Sequence, residues 1–464
     1  MHLLIIGGSD GGISAALRAR ELDPAVEVTV VVADAYPNFS ICGLPYYLSG
    51  DVPDWRSLAH RTIADLEQTG MRLVLDHTAR AIDPASKQVT ITNAGDGSER
   101  TLAYDRLVVA TGTVPVRPPI EGLDLDGVHV LHTMDDTFTF HHALTTGARS
   151  AVIVGGGYIG LEMAEAFTSR GLAVTLVEQA PAVMPTVDPD LGRLLGDELR
   201  HQGVQVVNDV TVKAIGRDHH RLVVAGEPDF ACAADLVLVV VGIRPDTDLA
   251  VAAGVETGVR GALRVDRHMR TDLPDILAAG DCVETYHRLL DQSAYLPLGT
   301  TAHKQGRIAG ETAVGGDREF AGSLGTQVVK VFELAVARTG LRDQDAAAAA
   351  GLDPVTVGSV EFDHKAYYPG AHQLHLRITG DRTSGRLLGA QLLGDHRAEV
   401  AKRIDIAATA LFHHMTVEAL SDLDLSYTPP FGSPWDAVQM AAQAWARQTQ
   451  GGQPTQAASH ETPP

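Results

Sequence analysis

Residues 3–22, LLIIGGSDGGISAALRAREL, join a short apolar run to a glycine turn and then to a segment with helical spacing. A second apolar run, EVTVVVAD at 27–34, follows and ends on Asp34. The order is strand, tight turn, helix, strand and acid. Glycines let the backbone approach a pyrophosphate, the helix N-terminus offers it N–H groups, and the acid accepts from a ribose hydroxyl. The stretch therefore predicts a dinucleotide site, with Ser9 in place of the usual middle glycine.

The same pattern recurs at 150–179, SAVIVGGGYIGLEMAEAFTSRGLAVTLVEQ. Here Gly155, Gly157 and Gly160 form the turn, and Glu178 closes the second strand. Two such units predict two dinucleotides, and the pair that fits best is a tightly held FAD and a nicotinamide that delivers hydride to it. NADH is the predicted reductant, with NADPH as the alternative, because the Glu178 carboxylate would repel a 2′-phosphate and the residues after it supply no Arg or Lys.

The composition sets limits on partners and location. The chain has 464 residues, 45% hydrophobic and 20% charged, which is typical of a globular protein with more than one domain. Its net charge of −21 argues against a nucleic-acid or anionic-membrane surface, because both need clustered positive charge. Its 3 cysteines are too few for a disulfide framework, its N-terminus lacks signal-peptide features, and no apolar run approaches the ~18 residues that span a membrane. We expect a cytoplasmic protein without nucleic-acid, membrane or metal partners.

Cys42 lies in NFSICGLPYYLSG, residues 38–50, with no second cysteine nearby. A thiolate is favoured at a helix N-terminus, and the residues after Cys42 can begin a helix. The sequence allows two interpretations, a small buried residue, which is the commoner fate of a free cysteine, or a lone redox centre. Cys232, at the entry to an apolar strand, and Cys282, directly after Asp281, are predicted to pack in the core.

Further motifs complete a resemblance to a known family. ATG at 110–112, VGIRPDT at 241–247, AAGD at 278–281 and PLGTTAHKQGRIAG at 297–310, together with the two nucleotide folds, resemble the pyridine nucleotide-disulfide oxidoreductases over residues 1 to about 440. The two-cysteine branch of that family has a second cysteine where this chain has Tyr47, and the chain also lacks that branch's C-terminal His-Pro motif. It therefore resembles the single-cysteine branch of coenzyme A-disulfide reductases, NADH oxidases and NADH peroxidases.

The resemblance implies an α/β fold with two Rossmann-like dinucleotide-binding domains, for FAD and NAD, and a C-terminal α+β dimerisation domain. The expected boundaries are 1–116 and 246–322 for the FAD domain, 117–245 for the NAD domain and 323–447 for the dimerisation domain. Residues 448–464 are polar, contain Gly and Pro, and are expected to be disordered. The alanine-rich stretch at 346–351 is expected to be helical and to end at Gly351.

Site residues follow from the motifs and the resemblance together. Asp281 could accept from a ribityl chain, N–H groups around Thr300 to Ala302 could face the flavin pyrimidine, Tyr158 resembles an aromatic lid, and Glu162 resembles a residue near the nicotinamide. The predicted cofactor-binding residues are Gly7, Ser9, Asp10, Gly11, Gly12, Asp34, Thr111, Gly112, Asp281, Thr300, Thr301, Ala302, Gly155, Gly157, Tyr158, Ile159, Gly160, Glu162, Glu178 and Gly242.

The resemblance also implies a route for electrons. Hydride passes from NADH to FAD, and electrons then pass to an oxidised sulfur on Cys42; a mixed disulfide, a persulfide and a sulfenic acid are the three alternative forms of that sulfur. HKAYYPGA at 364–371 and LDLSYTPPF at 423–431 are similar to dimerisation-domain elements, so Tyr368 (or Tyr367) and Tyr427 are expected to act beside the cysteine of the partner in a homodimer. Packing at the interface is their alternative role.

Three residues depart from the family's patterns. Oxidases and peroxidases of the branch carry histidine where this chain has Asp10, which would be a poor proton donor and is interpreted as a turn cap. The coenzyme A enzymes have Asn before the cysteine and paired basic residues on the first helix, whereas this chain has Ile41 and Glu21.

Three functions stay open. The first is an NAD(P)H-dependent reductase of a low-molecular-weight disulfide, persulfide or polysulfide, as in coenzyme A-disulfide reductases. The second is an NADH oxidase or peroxidase that uses a Cys42 sulfenic acid. The third is a flavoprotein redox sensor or electron-transfer protein in which Cys42 is inert.

Overall fold

The computed structural model describes residues 1–349 and 351–450. The chain divides into two compact units. The first unit comprises Met1–Pro185 and Leu199–Ser323, and the second comprises Thr186–Glu198 and the chain from Leu324 onward.

The helices of the described residues are numbered in chain order. They are α1 Asp10–Leu22, α2 Leu44–Ser49, α3 Ile63–Gln68, α4 Met134–Thr145, α5 Tyr158–Ser169, α6 Pro189–His201, α7 Asp248–Ala252, α8 Gly299–Ala313, α9 Asp343–Ala347, α10 Val400–Phe412, α11 Val417–Ser421 and α12 Ala437–Gln450. Short 3₁₀ helices lie at Ile41–Gly43, Trp55–Leu58 and Val259–Gly261.

The strands are numbered in the same way. They are β1 His2–Ile6, β2 Glu27–Val31, β3 Met71–Val74, β4 His77–Asp83, β5 Gln88–Asn93, β6 Glu99–Ala103, β7 Arg106–Val109, β8 Thr113–Pro115, β9 Val128–His129, β10 Ser150–Val154, β11 Ala173–Val177, β12 Gln205–Val207, β13 Thr211–Asp218, β14 Arg221–Glu227, β15 Phe230–Ala234, β16 Leu236–Val239, β17 Ile243–Pro245, β18 Ile276–Ala278, β19 Thr285–His287, β20 Gln292–Ala294, β21 Gln327–Val331, β22 Leu334–Gly340, β23 Pro354–Phe362, β24 Gln373–Asp381 and β25 Leu387–Asp395.

The first unit contains two parallel sheets. One has the order β18-β7-β1-β2-β3 and the other β12-β11-β10-β16-β9. Their central strands, β1 and β10, are short apolar runs that are almost fully buried, as expected for strands covered on both faces. Because β18 pairs with β7, residues 276–278 belong to the same sheet as the N-terminal strands β1, β2 and β3. Smaller antiparallel sheets, β4-β5-β6 and β13-β14-β15, accompany them.

The contact between α1 and α8 is unusually close. A Cβ at Gly306 would overlap the carbonyl oxygen of Gly11, and a Cβ at Gly310 would overlap that of Ala15. The two glycines of α8 therefore let its backbone lie directly against α1. This packing fixes the N-terminal ends of both helices beside each other and beside the loop that follows β18, where Gly11 approaches Ala279.

The second unit is built on an antiparallel sheet with the order β21-β22-β25-β24-β23. Helices α10 and α12 pack on it, and the Trp445 indole of α12 donates to the Val355 carbonyl at 2.8 Å. Arg403 of α10 is only 4% exposed and pairs with Asp436 at 3.0 Å. A guanidinium this deeply buried needs such a partner, because an unpaired charge would be costly to desolvate.

The predicted fold class is confirmed, and two local predictions need correction. The helix expected at 346–351 is wrong in its bounds, because α9 begins at Asp343 and ends at Ala347. Helix α12 runs to Gln450, so 448–450 are helical rather than disordered, and 451–464 lie outside the described residues. Within the described chain, every helix is too short or too polar to cross a membrane.

Candidate active site

The first glycine turn lies between β1 and α1. Gly7 has a φ of 115°, and a Cβ there would overlap the carbonyl oxygen of Ala110. Ser9 precedes α1 without forming a side-chain cap, and Gly11 and Gly12 are buried in its first turn. A bare backbone and a helix N-terminus therefore meet at the carboxyl edge of the sheet, where a pyrophosphate would bind.

Asp34 lies just beyond β2, at the same edge. Its Oδ1 accepts from the Tyr36 amide at 2.9 Å. Burial raises the pKa of this carboxyl, and the charges of Asp135 and Asp76 raise it further. Because a donor hydrogen bond favours the charged form, a ribose hydroxyl at this position would stabilise the carboxylate.

Asn38 shows that the residues around this turn suit FAD. It is 1% exposed, and neither its Oδ1 nor its Nδ2 has a hydrogen-bond partner among the described residues. Its backbone amide donates to the Gly8 carbonyl at 2.7 Å, so it lies beside the glycine turn. A buried amide left unpaired costs on the order of 1–3 kcal/mol. A ligand that carries both donors and acceptors, as FAD does, would satisfy it.

Asp281 and Thr111 lie at the ends of neighbouring strands. Burial, reinforced by the charge of Asp10, raises the pKa of Asp281 to about 6. A hydroxyl-rich ligand would again favour the charged carboxylate. The Thr111 hydroxyl donates to the Asp246 carbonyl at 2.5 Å, and the Gly112 carbonyl accepts from the Asp246 amide at 2.9 Å.

The prediction of available amides over Thr300–Ala302 is wrong in part. The Thr301 and Ala302 amides both donate to the Leu298 carbonyl, at 2.9 and 2.8 Å, because they already belong to the first turn of α8. The donors that a helix leaves available are its first amides. The end of α8 that could face a ligand is therefore at Gly299 and Thr300.

The second glycine turn lies between β10 and α5. A Cβ at Gly160 would overlap the Gly155 carbonyl oxygen, whereas a Cβ at Gly157 would meet no described atom within 4 Å. The space over Gly157 is what a pyrophosphate needs. Glu178 is 6% exposed, and its Oε2 accepts from the Gly156 amide at 2.6 Å. The carboxylate is thus held at the edge of the turn, where a ribose would lie.

The remaining predicted residues of this nucleotide fold lie around the same turn. Tyr158 and Ile159 are the first two residues of α5, and Ile159 is exposed. Gly242 follows β16 with a φ of 120° and an open approach. Their predicted contacts with a nicotinamide nucleotide stay predictions.

Cys42 lies in the 3₁₀ turn Ile41–Gly43, directly before α2. It is exposed, whereas Cys282 is fully buried and Cys232 is intermediate. Although solvent reaches Cys42, desolvation by the surrounding protein raises the pKa of its thiol, and the charges of Glu162, Asp10 and Asp281 raise it further. The expected helix is present, but these acids oppose the thiolate that the helix N-terminus was predicted to favour.

Glu162 of α5, whose charge acts on this thiol, has a carboxyl pKa raised well above its ordinary value. Burial, with the nearby Glu165, raises the pKa of Glu162 to about 7, and a hydrogen bond from Tyr46 partly offsets the shift. Burial and the charge of Glu162 raise the pKa of Tyr46 to about 12, so its phenol stays protonated and donates. The C-terminal end of helix α2 is held against the end of α5, because Arg170 Nε donates to the Leu48 carbonyl at 2.8 Å.

Asp10 is not the turn cap that its position suggested. Its Oδ1 lies 3.3 Å from Nε2 of His303 on α8, and Nδ1 of that histidine is hydrogen-bonded to Ser14 Oγ at 2.9 Å. Sequence reasoning missed His303, because only the packing of α8 on α1 brings the two residues together. Its position within the HKQGRIAG motif was the available signal.

The basic residues of α1 and α8 are engaged by acids. Arg18 contacts Glu311 at 2.6 Å and Glu21 at 3.0 Å, and Arg307 contacts Glu21 at 3.4 Å. The Arg18 side chain is 15% exposed. Its charge is therefore largely compensated within the protein, and a ligand phosphate would have to compete with two carboxylates.

The other two cysteines pack in the first unit. Cys282 lies in the core, where burial raises the pKa of its thiol to about 11, as predicted for a structural residue. Cys232 belongs to β15 rather than to the entry of β16, and its Sγ lies 3.6 Å from Thr175 Oγ1.

The predicted tyrosines lie in the second unit. Tyr368 and Tyr427 are 42% and 43% exposed, and Tyr367 is 74% exposed. The Lys365 amide donates to the Pro429 carbonyl at 3.4 Å, so the two tyrosine-bearing segments are neighbours. Their action beside Cys42 of another subunit stays a prediction.

Two nucleotide turns, a buried unpaired amide beside the first, and an exposed cysteine among acids from both folds define a flavin- and nicotinamide-dependent oxidoreductase. A family described as pyridine nucleotide-disulphide oxidoreductase matches residues 1–306, and its dimerisation domain matches residues 326–438. The chain belongs to this family, as the motifs predicted. It is an enzyme, and the family binds FAD and NAD(P)H.

Named relatives cover nearly the whole chain. An NAD(P)H sulfur oxidoreductase (CoA-dependent) of Pyrococcus abyssi is 32% identical over 442 residues, 95% of this chain and 97% of the relative. An NADH oxidase of Methanocaldococcus jannaschii is 31% identical over 450 residues, 96% of this chain and 98% of the relative. The structure of an NAD-dependent persulfide reductase from A. fulgidus superposes with a TM-score of 0.93 at 37% identity, covering 97% of this chain and 84% of that one.

Glu162→Gln should lower the pKa of the Cys42 thiol, because it removes a negative charge that raises it. Since Glu162 itself has a pKa of about 7, variant and wild type should react alike below pH 7 and diverge above it, with the variant faster. The measurement is the rate of Cys42 alkylation by iodoacetamide against pH, followed on the Cys42 peptide by mass spectrometry. Glu67→Gln, at an exposed acid of α3, is the control; superimposable profiles for all three proteins would contradict the assignment.

Proposed function

We propose that the protein is an NADH-dependent reductase of low-molecular-weight disulfides, persulfides or polysulfides, with Cys42 as its redox-active sulfur. The observation that carries this proposal is the position of the exposed Cys42 among Asp10 and Asp281 of the first nucleotide fold and Glu162 of the second. A thiol that is influenced by both folds is suited to receive electrons that travel from one nucleotide to the other.

The proposed reaction is balanced as NADH + H⁺ + RSSR′ → NAD⁺ + RSH + R′SH. FAD, when bound, supplies the chemistry that links hydride transfer from NADH to electron-pair transfer to sulfur. Cys42 attacks one sulfur of the acceptor, forms a mixed disulfide and releases the other sulfur as a thiol. Two electrons then break the mixed disulfide and regenerate the Cys42 thiolate, while the second thiol leaves with a proton.

Two observations bear on the acceptor. Relatives named as a CoA-dependent sulfur oxidoreductase and as a persulfide reductase support sulfur as the reacting atom. The acids that engage Arg18 and Arg307 disfavour a substrate held by phosphate groups. The proposal therefore favours small sulfur acceptors over coenzyme A disulfide.

A second candidate is an NADH oxidase that cycles Cys42 through sulfenic acid. The relative named NADH oxidase and the histidine held by Asp10 support it. A sulfenic acid needs a proton donor for the departing oxygen, and His303 could supply one. Rates with oxygen and peroxide, compared with those for disulfide and polysulfide, discriminate between the two functions.

Cys42→Ser should reduce the rate with disulfide or polysulfide to background, because the nucleophile and electron acceptor is lost. Reduction of the flavin by NADH and slow leakage to oxygen should continue. Stopped-flow absorbance of the flavin measures both steps, and Cys232→Ser, at a half-buried cysteine, is the matched control. Wild-type acceptor rates in Cys42→Ser would make Cys42 a packing residue.

NADH should be used more efficiently than NADPH by about tenfold or more, the ratio that ~1.4 kcal/mol of differential binding gives. The reason is that the buried Glu178 carboxylate lies where a 2′-phosphate would have to fit. The measurement is kcat/KM for both cofactors. Glu178→Gln keeps the size of the side chain and removes its charge, so it should narrow the ratio; equal values in the wild type would refute the preference.

We also propose a homodimer with active sites shared between chains. The dimerisation-domain match and the exposed aromatic residues Tyr367, Phe431 and Trp435 of the second unit support an interface there. Tyr368 and Tyr427 would then reach the acceptor bound at the partner's cysteine.

Mixing Cys42→Ser and Tyr427→Phe subunits should restore activity above that of either parent. With random reassociation half of the dimers are mixed, and one of their two sites is intact, so about a quarter of wild-type activity is expected. Light scattering after reassociation reports the oligomeric state. A fully active monomer, or no recovery in verified mixed dimers, would rule out shared sites.

A further inference from the structure

The N-terminal parts of α1 and α8 hold a group that the proposed electron route does not use. His303 lies between Asp10, at 3.3 Å from Nε2, and Ser14, hydrogen-bonded to Nδ1 at 2.9 Å. The ring of His60 meets the His303 ring edge-on, with centroids 6.3 Å apart. The side chain of His303 is 45% exposed and that of Asp10 is 25% exposed, so the pair is accessible to solvent and to a small molecule.

This group lies next to the segment that carries Cys42. The His60 amide donates to the Asn38 carbonyl at 2.9 Å, and the Ser40 amide donates to the Leu58 carbonyl at 2.8 Å. Residues 58–60 and the stretch that leads into Cys42 are therefore hydrogen-bonded to each other. The charge of Asp10 also acts on the Cys42 thiol, which places the carboxylate within electrostatic reach of the sulfur.

Reduction of a sulfur acceptor requires a proton for the sulfur that leaves Cys42. When two electrons break the bond between Cys42 and the acceptor sulfur, both sulfurs become anionic. The neighbouring acids Glu162, Asp10 and Asp281 make a second anionic sulfur unfavourable. An alkyl thiolate is a poor leaving group unless it is protonated as it departs, because leaving-group rates fall as thiol pKa rises.

We propose that His303, held by Asp10 and Ser14, is the general acid that protonates the sulfur leaving Cys42. This inference rests on the function proposed above. A proton passes from the His303 imidazole to the departing sulfur, and Cys42 remains as the thiolate. Solvent returns a proton to the exposed imidazole, so breaking the bond between Cys42 and the acceptor sulfur takes up two electrons and one proton and yields the Cys42 thiolate and one thiol.

The residues that face His303 are suited to this role. The Asp10 carboxylate on α1 lies 3.3 Å from Nε2, Ser14 is hydrogen-bonded to Nδ1 and so fixes the orientation of the ring, and His60 contacts the ring from the segment after Leu58. One turn further along α8, Arg307 is paired with Glu21. Histidine is the side chain that most often serves as a general acid in enzymes.

The test is stopped-flow reoxidation of the NADH-reduced holoenzyme by two disulfides that differ in their leaving groups. 2-Hydroxyethyl disulfide releases an alkyl thiol that needs a proton, whereas 5,5′-dithiobis(2-nitrobenzoate) releases an acidic aryl thiol that does not. His303→Asn should slow reoxidation by the alkyl disulfide on the order of 10²-fold, as loss of a general acid does. It should slow reoxidation by the aryl disulfide by less than about threefold. Reduction of the flavin by NADH should be unchanged.

Matched variants complete the test. His303→Gln, which keeps a donor near Asp10, is a second variant with the same expectation if the first loses FAD. His219→Asn, at an exposed histidine in the turn between β13 and β14, is the control and should behave as wild type.

The outcomes separate the inference from the function on which it rests. Equal slowing of the reaction with both disulfides, or the same selective slowing in His219→Asn, would overturn the assignment of His303 while leaving the reductase function intact. A wild-type enzyme that reduces neither these disulfides nor polysulfide would overturn the proposed function and the inference with it. Selective slowing of the alkyl disulfide supports His303 as the general acid.

Discussion

The close packing of α8 on α1 is the constraint on which the rest of the site depends. Gly306 and Gly310 leave room for the backbone of α1, and any side chain at either position would overlap a carbonyl oxygen. The contact joins residues that are almost three hundred positions apart in the chain. It brings together the first glycine turn, the start of α8 and the loop after β18, and so assembles one edge of the nucleotide fold from three separate segments.

A second consequence of this assembly is electrostatic. The carboxylates that surround Cys42 come from α1, from α5 and from the loop after β18, and each has a different structural reason to be there. Asp10 faces His303, Glu162 accepts from Tyr46, and Asp281 is buried at a strand end. The thiol is thus placed in a negative environment by the fold as a whole rather than by its own loop.

The sequence was sufficient for the fold class, the family and the two glycine turns, because these depend on local patterns of apolar runs, glycines and acids. The helix after Cys42 and the core position of Cys282 were also predicted correctly. Three features could not be read locally. The His303–Asp10 contact and the pairing of Arg18 with Glu311 require the packing of two distant helices, and the unpaired side chain of Asn38 is visible only once burial is known.

The misassigned helix ends have a similar explanation. The alanines after 345 have high helix propensity, yet α9 ends at Ala347. Its start is fixed by the Asp345 carboxylate, which accepts from the Arg342 backbone amide at 3.3 Å and from the Arg342 Nε at 3.1 Å. At α8, the available amides are those of Gly299 and Thr300 rather than those around Thr300 to Ala302, because the Leu298 carbonyl already accepts from Thr301 and Ala302. Boundaries of this kind depend on which carbonyl accepts first, and composition alone does not specify it.

The raised pKa of Cys42 affects how readily oxidants and alkylating agents damage its sulfur. Peroxides and alkylating agents attack the thiolate far faster than the thiol, and over-oxidation to sulfinic acid is irreversible for most proteins. A single-cysteine enzyme has no neighbouring thiol to trap a sulfenic acid as a disulfide. Acidic surroundings that favour protonation of Cys42, once each turnover has regenerated its thiolate, would therefore protect an exposed nucleophile between turnovers in a cell that encounters oxidants.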